Sequence, residues 1–396
     1  MDLRHTPEDE RFREELRHWL DETIPRQGDS PPPEAGYKAQ REYDARWQRR
    51  LFDAGYAGLH WPSEYGGRDA SLAQQLIFAE ECARAQAPFN PTNFVGLLHA
   101  GPTLMVEGTP EQKAAHLPPI LRGEQTWCQC FSEPSAGSDL ANLRTSAVRD
   151  GDDYVVNGHK IWTSMATMAD YAELLVRTDP RASKHRGLSW LILPMDAPGI
   201  EIRRIKTLAG SLEFCEVFLE DVRVPASHLV GAENDGWRVS NVTLRFERGT
   251  AFARQIYSMQ QLLHSMLLAA RRVERGGRPA ADDAGLRRRI GRLQAELDAL
   301  RSMLRLSLSQ AARTGVPGLG ASALKLKYSE LWQRAAEAAR ELIGRGVLAR
   351  DDVADLPTRQ FGWAALGSLQ STISAGTSQI QRNIIAERIL GQPKDR

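Results

Sequence analysis

The hydrophobic period of this 396-residue chain changes twice, and any fold it adopts must change layer type at both places. Up to about residue 125, apolar side chains recur three and four apart. The runs are Phe12, Leu16, Trp19 and Leu20, then Tyr43, Trp47, Leu51 and Phe52, then Leu72, Leu76, Ile77 and Ala79. That is helical patterning, with Pro25 and Pro31-Pro32-Pro33 read as breaks. From about 126 to 235 the period falls to two, the spacing at which alternate side chains face opposite sides of a sheet. Within Tyr154–Trp162, Asn157-Gly158 between two strand-like runs predicts a hairpin turn. Leu188–Leu193, Ile200–Arg203 and Cys215–Leu219 predict further strands. After Trp237 the 3.5-type spacing of long packed helices takes over, as at Met259, Leu263, Met266, Ala270 and Val273. It continues at Ile290, Leu293, Leu297, Leu300 and Leu304, then at Leu324, Tyr328, Leu331, Ala335, Ala338 and Leu342. Gly276-Gly277-Arg278-Pro279 and Gly315-Val316-Pro317-Gly318 separate these runs, and Ile380, Ile384 and Ile389 lie on a fourth. The expectation is a mainly α chain with a central β domain: a helical domain at 1–125, a small β-barrel or sandwich at 126–235, and a four-helix bundle at 236–396.

Composition narrows the function classes. A hydrophobic share of 42% suits an ordinary globular protein. A net charge of +1 gives no polyanion-binding surface, so no nucleic-acid partner is expected. Arginines do cluster at Arg271, Arg272, Arg275 and Arg278 and at Arg287, Arg288 and Arg289. A solvated helix face is the first reading of that cluster and a phosphate site the second. The four cysteines, Cys82, Cys128, Cys130 and Cys215, have neither disulfide-framework nor zinc spacing, so reduced thiols and no metal are expected. No apolar run nears the ~20 residues that span a bilayer. The start, Met1-Asp2-Leu3-Arg4-His5, has no apolar signal core. A cytoplasmic chain of bacterial type follows as the expectation.

Three segments carry chemistry: Phe131-Ser132-Glu133-Pro134-Ser135-Ala136-Gly137-Ser138-Asp139, Lys160-Ile161-Trp162-Thr163-Ser164, and Gly376-Thr377-Ser378-Gln379-Ile380-Gln381-Arg382 with Asn383–Arg388 after it. Ser378 and Gln381 have capping-box spacing, so a helix is expected to begin there and to offer free N–H groups, ending at Gly391 with Pro393 beyond. Singly, each segment is an ordinary turn or strand end. In this order and spacing they resemble the acyl-CoA dehydrogenase family of flavoenzymes, over nearly the whole chain.

The resemblance implies FAD. Phe131 and Ser132, with Gln129 just before them, would lie along the flavin, Trp162 would pack on one face of the ring, and Ser164, with Thr163 beside it, would approach N5. Gly137 and Ser138 match the turn that meets FAD and the coenzyme A part of the substrate, and Thr377 and Gln379 the positions that touch FAD. Two motifs depart from the family. Where many relatives carry an Arg-x-Thr-Phe-Gly-type motif from the neighbouring subunit, this chain has Val273–Ala280. The usual Gln-x-x-Gly-Gly-x-Gly reads Arg340-Glu-Leu-Ile-Gly344-Arg-Gly346. Arg272, Arg275 and Arg340 are then the candidate phosphate partners, with a paralogous partner chain as the alternative.

The base departs too. In most of the family a glutamate directly precedes the Gly-Thr pair; here that residue is Ala375. Isovaleryl-type and long-chain-type members carry the base in a Glu-Arg pair on the first long bundle helix, and Leu244-Arg245-Phe246-Glu247-Arg248-Gly249 supplies one. Glu247 is the candidate base. Ala375 keeps its backbone N–H for the thioester carbonyl, and Arg245, Arg248, Gly376 and Ser138 are candidate substrate contacts. The implied activity is α,β-desaturation of an acyl thioester, as acyl-CoA or on an acyl carrier protein, with room for a branched or bulky acyl group. Electrons would pass to an electron-transfer flavoprotein, and the implied assembly is a homotetramer. A flavin oxidase or monooxygenase on the same fold, and a non-catalytic subunit of a hetero-oligomer, remain open alternatives.

Overall fold

The computed structural model describes residues 5–31, 36–247, 253–314, 320–349, 351–353 and 355–393, with the backbone alone at 244–247, 308 and 310–314. It divides into two compact units, one of Met1–Arg17, Leu72–Gln86 and Arg248–Arg396, the other of His18–Ser71 and Ala87–Glu247. The architecture is mainly helical with a central β domain, as the patterning implies.

Among the described residues, five α-helices precede the strands: α1 Pro7–Gln27, α2 Gly36–Asp53, α3 Leu72–Arg84, α4 Gly101–Glu107 and α5 Pro110–Arg122. Pro25 does not break α1. It falls in the last turn, where its missing N–H costs one backbone bond and the helix ends two residues later. Of the proline run, Pro32 and Pro33 lie outside the described residues. A capping box starts α5, with Thr109 Oγ1 accepting from Gln112 N and Gln112 Oε1 accepting from Thr109 N.

The strands follow: β1 Trp127–Cys130, β2 Ser146–Asp150, β3 Asp153–Ser164, β4 Tyr171–Arg177, β5 Leu188–Pro194, β6 Ile200–Ile205, β7 Phe214–Pro225 and β8 Leu229–Val230. They form one eight-stranded sheet in the order β6-β7-β3-β2-β4-β5-β8, with β1 parallel to β4. Its core packs Val156, Leu174, Val176, Leu191, Leu193, Val217 and Val222.

Asn157-Gly158 is not a hairpin turn. It lies inside β3, at a register shift against β7. Asn157 reaches sideways: its Nδ2 donates to Asp221 Oδ1 and its Oδ1 accepts from Asp221 N, at 2.9 and 2.8 Å. Gly158 is needed because a Cβ there would meet the Thr145 Cα at 2.7 Å, so only glycine lets the neighbouring chain come that close. The hairpin turn is Gly151-Asp152, where Asp150 pairs Asp153 and glycine takes a positive φ of 61°.

Helix α6, Gly236–Glu247, closes this unit. In the other unit come α7 Ala253–Arg272, a two-stranded ribbon of β9 Glu274–Arg275 and β10 Arg278–Pro279, then α8 Ala284–Thr314, α9 Gly320–Ile343, α10 Thr358–Ser371 and α11 Ser378–Ile384. Gly276 and Gly277 both take positive φ at the ribbon tip, as a two-residue primed turn requires. The break expected at Gly315–Gly318 lies outside the described residues. Leu263, Met266, Leu297, Leu300, Leu331, Ala335 and Phe361 form the core here, and α3 contributes Leu76, Ala79 and Ala83 to it.

Within that unit Glu81 of α3 is nearly inaccessible yet charged. Arg17 binds it in a fork at 3.0 and 2.7 Å, Arg84 Nε donates at 2.6 Å and Arg13 Nη1 at 2.9 Å. Burial alone would raise this carboxyl; the hydrogen bonds from Arg17, Arg84 and Arg13 outweigh it and hold the pKa to about 2. A depressed folded-state pKa contributes stability that is complete above the unfolded value and lost as pH falls from about 4.5 toward 2. Since Arg17 and Arg84 are about half exposed, screening brings the contribution to about 2 kcal/mol. Glu81→Gln is therefore expected to lower stability at pH 7 by about that amount and to flatten the acid limb, as read by urea denaturation across pH 2–7.

Candidate active site

The candidate residues fall in two sets, one on each unit. In the sheet-bearing unit, the loop after β1 is tied to the far half of β3 by a buried ion pair. Lys160 is fully buried and uses all three of its donors, to Phe131 O at 3.1 Å, Glu133 Oε1 at 2.9 Å and Leu175 O at 2.7 Å. Glu133 in turn accepts from Arg144 N and Thr145 N. Burial lowers the Lys160 ammonium against the opposing pull of Glu133. Burial would raise Glu133, but Lys160 and the bonds from Thr145 and Arg144 bring it below its ordinary value. Ile161 N donates to Ser132 O at 2.9 Å and completes the clamp.

Just beyond the clamp the pairing of β3 with β7 shifts register between Lys160 and Thr163, and Trp162 sits at φ +63°. A left-handed backbone costs a non-glycine residue about 1–2 kcal/mol. The result is an indole left 56% exposed, braced at one edge by Phe214. Ser164 shares the outward side. Thr163 faces in: it is buried, its Oγ1 3.8 Å from the Cys130 Sγ, so it has only backbone to offer a ligand. Phe131 is buried, while Gly137 and Ser138 lie exposed in the turn, beside the Lys184–Asp139 ion pair. Gln129 is spent internally, its Nε2 donating to Glu173 Oε2 at 3.0 Å and lying 3.3 Å from His99 Nδ1.

In the helical unit the segment between α10 and α11 carries the second set. Thr377, not Ser378, is the N-cap of α11: its Oγ1 accepts from Ile380 N at 3.1 Å. The capping-box glutamine reaches back further than a box requires, with Gln381 Nε2 donating to Ala375 O at 2.9 Å. Ala375 stands at φ +52° and Gly376 at +85°, where a Cβ would meet Gln381 Nε2 at 2.7 Å. Lys325 of α9, 2% exposed, donates to Gly376 O at 2.6 Å. An open cleft of about 330 Å³ adjoins the turn, lined by Glu330 and Gln333 of α9, Thr372 and Ile373, and Thr377, Ser378, Gln379 and Arg382. The buried Ser378 Oγ has no partner among the described residues.

Arg272, Arg340 and Gly344 are not brought to that cleft. Arg340 lies ten residues, about 15 Å, along α9 from Glu330. Arg272 donates to Asp355 O and Arg275 to Glu341 O, at 2.9 and 2.6 Å, and Gly344 is exposed at φ +56°. Glu247 ends α6 as backbone, its side chain and that of Arg245 lying outside the described residues, as does Arg248. Sequence reasoning reads Ser378 and Gln381 only as a capping pair and does not single out Lys325, which also borders this turn. For Lys325 the signal was present, a lysine beside Leu324 on the buried side of α9.

In the sheet-bearing unit, an exposed aromatic face flanked by the hydroxyls of Ser132 and Ser164 suits a flat heteroaromatic cofactor with hydrogen-bonding edges. This is the arrangement of a flavoprotein oxidoreductase. Family models match end to end: acyl-CoA dehydrogenase N-terminal domain at residues 6–124, middle domain at 128–222 and C-terminal domain at 234–390. The chain belongs to the acyl-CoA dehydrogenase family, whose cofactor is FAD. It is 39% identical over 392 residues, 98% of each chain, to acyl-CoA dehydrogenase IpdE1 of Mycobacterium tuberculosis. Among solved structures, the Tcur3481-Tcur3483 steroid ACAD superposes with a TM-score of 0.86 at 32% identity, covering 100% of both chains. The ChsE4-ChsE5 complex from Mycobacterium tuberculosis gives 0.85 at 36%, also covering 100% of both. Among the described residues no helix is long and apolar enough to cross a membrane.

The clamp has a measurable consequence. Lys160→Met leaves Glu133 charged and buried without its cation, an expected loss of about 3–5 kcal/mol. With the 131–139 loop released, flavin content per chain falls as well. Urea denaturation and the flavin-to-protein absorbance ratio read the two effects, and retention of both would show that the pair does not hold the loop.

Proposed function

We propose that this chain desaturates a coenzyme A thioester between its α and β carbons, with Glu247 as the base and a bulky, ring-bearing acyl group as substrate. The observation that carries the reading is the Ala375-Gly376 turn. At the position where most relatives place a carboxylate, the side chain is a methyl, yet the backbone is held left-handed and both carbonyls are bound by buried donors. Such a turn is built to present a main-chain group, and among the described residues the Ala375 N–H has no acceptor.

Under this reading the Ala375 N–H donates to the thioester carbonyl and favours enolate character, which acidifies the α-carbon. Glu247 takes the α-proton. Trp162 covers one face of the cofactor site, and Ser132, Ser164, Thr377 and Gln379 supply hydrogen-bonding groups around it. The chemistry FAD supplies when bound is acceptance of the β-hydrogen with its electron pair. The methyl at 375 leaves space beside the α-carbon, which supports a branched or cyclic acyl group, as does the likeness to a protein described as a steroid acyl-CoA dehydrogenase. Electrons would leave to an electron-transfer flavoprotein, in the cytoplasm.

The assembly has two versions. A homotetramer is one; the other pairs this chain with a paralogue, favoured by the altered motifs at 273–280 and 340–346 and by the likeness to two structures named as pairs of chains. Either would cover the apolar stripe of α10 and the residues just after it, where Trp363, Leu366, Leu369 and Ile373 are 58%, 42%, 46% and 67% exposed.

The decisive experiment is anaerobic mixing of wild type and Glu247→Gln with straight, branched and ring-bearing acyl-CoAs, following loss of flavin absorbance. The variant is expected to bleach about 10²–10⁴-fold more slowly, and bulky thioesters to outrun straight chains in the wild type. Equal bleaching by both proteins would remove Glu247 from the role. The assembly is read from flavin content: a chain colourless alone and yellow when co-expressed with a paralogue is a hetero-oligomer subunit, and one yellow alone is not dependent on a paralogue.

A further inference from the structure

We infer that Lys325 is a positioning residue for the reaction: by holding the Gly376 carbonyl it sets the aim of the Ala375 N–H. This rests on the reading in which that N–H receives the thioester carbonyl.

Lys325 lies between Leu324 and Leu326, on the side of α9 that also buries Tyr328, Leu331 and Ala335. Packing alone asks for an apolar side chain at this place, since a buried ammonium must recover its hydration from the acceptors it finds. One acceptor is the carbonyl one residue past Ala375, at 2.6 Å. The preceding carbonyl, of Ala375 itself, is held from a different helix by the fully buried Gln381 at 2.9 Å. Upstream, Ser374 N donates to Gln370 O at 2.9 Å. Peptide groups are planar, so these bonds fix the plane that enters Ser374, the plane that leaves Ala375 and the one that leaves Gly376, and the Ser374–Ala375 peptide that carries the Ala375 N–H is held between fixed neighbours.

The pinning has work to do because Ala375 is at φ +52°. An L-residue there lies about 1–2 kcal/mol above its ordinary conformations, and a strained residue persists only where its surroundings over-determine it. With Lys325 gone, Gly376 O keeps only the long 3.4 Å bond from Gln381 Nε2, and the turn relaxes toward negative φ. That rotation turns the Ala375 N–H away.

The test compares wild type, Lys325→Met and Lys325→Arg. Methionine keeps length and apolar bulk without a donor; arginine keeps the cation but not the 2.6 Å geometry. With a thioester that bleaches the wild type, Lys325→Met is expected to lower kcat tenfold or more, approaching the 10²–10³ lost with a whole oxyanion donor, while KM and flavin content stay within about twofold. Lys325→Arg is expected to fall between. The second readout is the infrared band of the same thioester, ¹³C-labelled at its carbonyl and held unreacted on a Glu247→Gln background. A strong bond to Ala375 N–H lowers that frequency, Lys325→Met should move it back up, and Lys325→Arg should leave it intermediate. If Lys325→Met does not fold, the arginine variant decides alone, with an unchanged band counting against the inference. Wild-type kcat and band position in Lys325→Met overturn the positioning role and leave the dehydrogenase reading intact. If no thioester bleaches the wild type, the dehydrogenase reading fails first and this inference falls with it.

Discussion

A lysine ammonium inside a β-sheet must find acceptors for three protons, and Lys160 finds them on two other stretches of chain. Phe131 O and Glu133 belong to the loop after β1, and Leu175 O belongs to β4. Because none of these bonds is replaceable by water in the buried interior, the loop, β3 and β4 are locked together. The exposed indole of Trp162 and the hydroxyls of Ser132 and Ser164 take their places from that lock. A buried pair like this is weak evidence for added stability over an apolar core. What it does provide is a single geometry for a loop without regular secondary structure at 131–139.

The helical unit solves a similar problem with a similar device. The turn before α11 is short, contains an alanine in a left-handed conformation and has no sheet to support it. Lys325 and Gln381 come from separate helices to hold consecutive carbonyls. In both units a buried side-chain donor reaches a backbone carbonyl and makes an irregular segment rigid. Rigidity of this kind suits groups that must stand ready before a substrate arrives, since reorganisation during reaction is what preorganised donors avoid.

Several features could be read from the residues because they depend on neighbours close in sequence. The period change near 126 located the strands, and the run from Gly376 located the last helix. Others failed for an identifiable reason. Asn157-Gly158 has the composition of a hairpin turn, but Asn157 is taken by Asp221 and Gly158 by Thr145, both distant in sequence. Capping spacing pointed to Ser378, but Thr377 also has a hydroxyl and one residue of offset decides which of them caps; Ser378 is turned inward instead. Thr163 was grouped with Trp162 and Ser164, although alternation along a strand puts it on the opposite side.

The sequence by itself determined the order of layers, the family, FAD as cofactor, and the replacement of a carboxylate by alanine at 375, because each is written in local pattern or in motif order. Only the tertiary structure decided that α3 joins the C-terminal helices while α6 stays with the sheet. It also decided that Trp162 is exposed at positive φ, and that Lys325 and Gln381 converge on one turn. Those outcomes depend on which buried donor finds which carbonyl across as many as 51 residues of chain, and no local propensity records such a meeting.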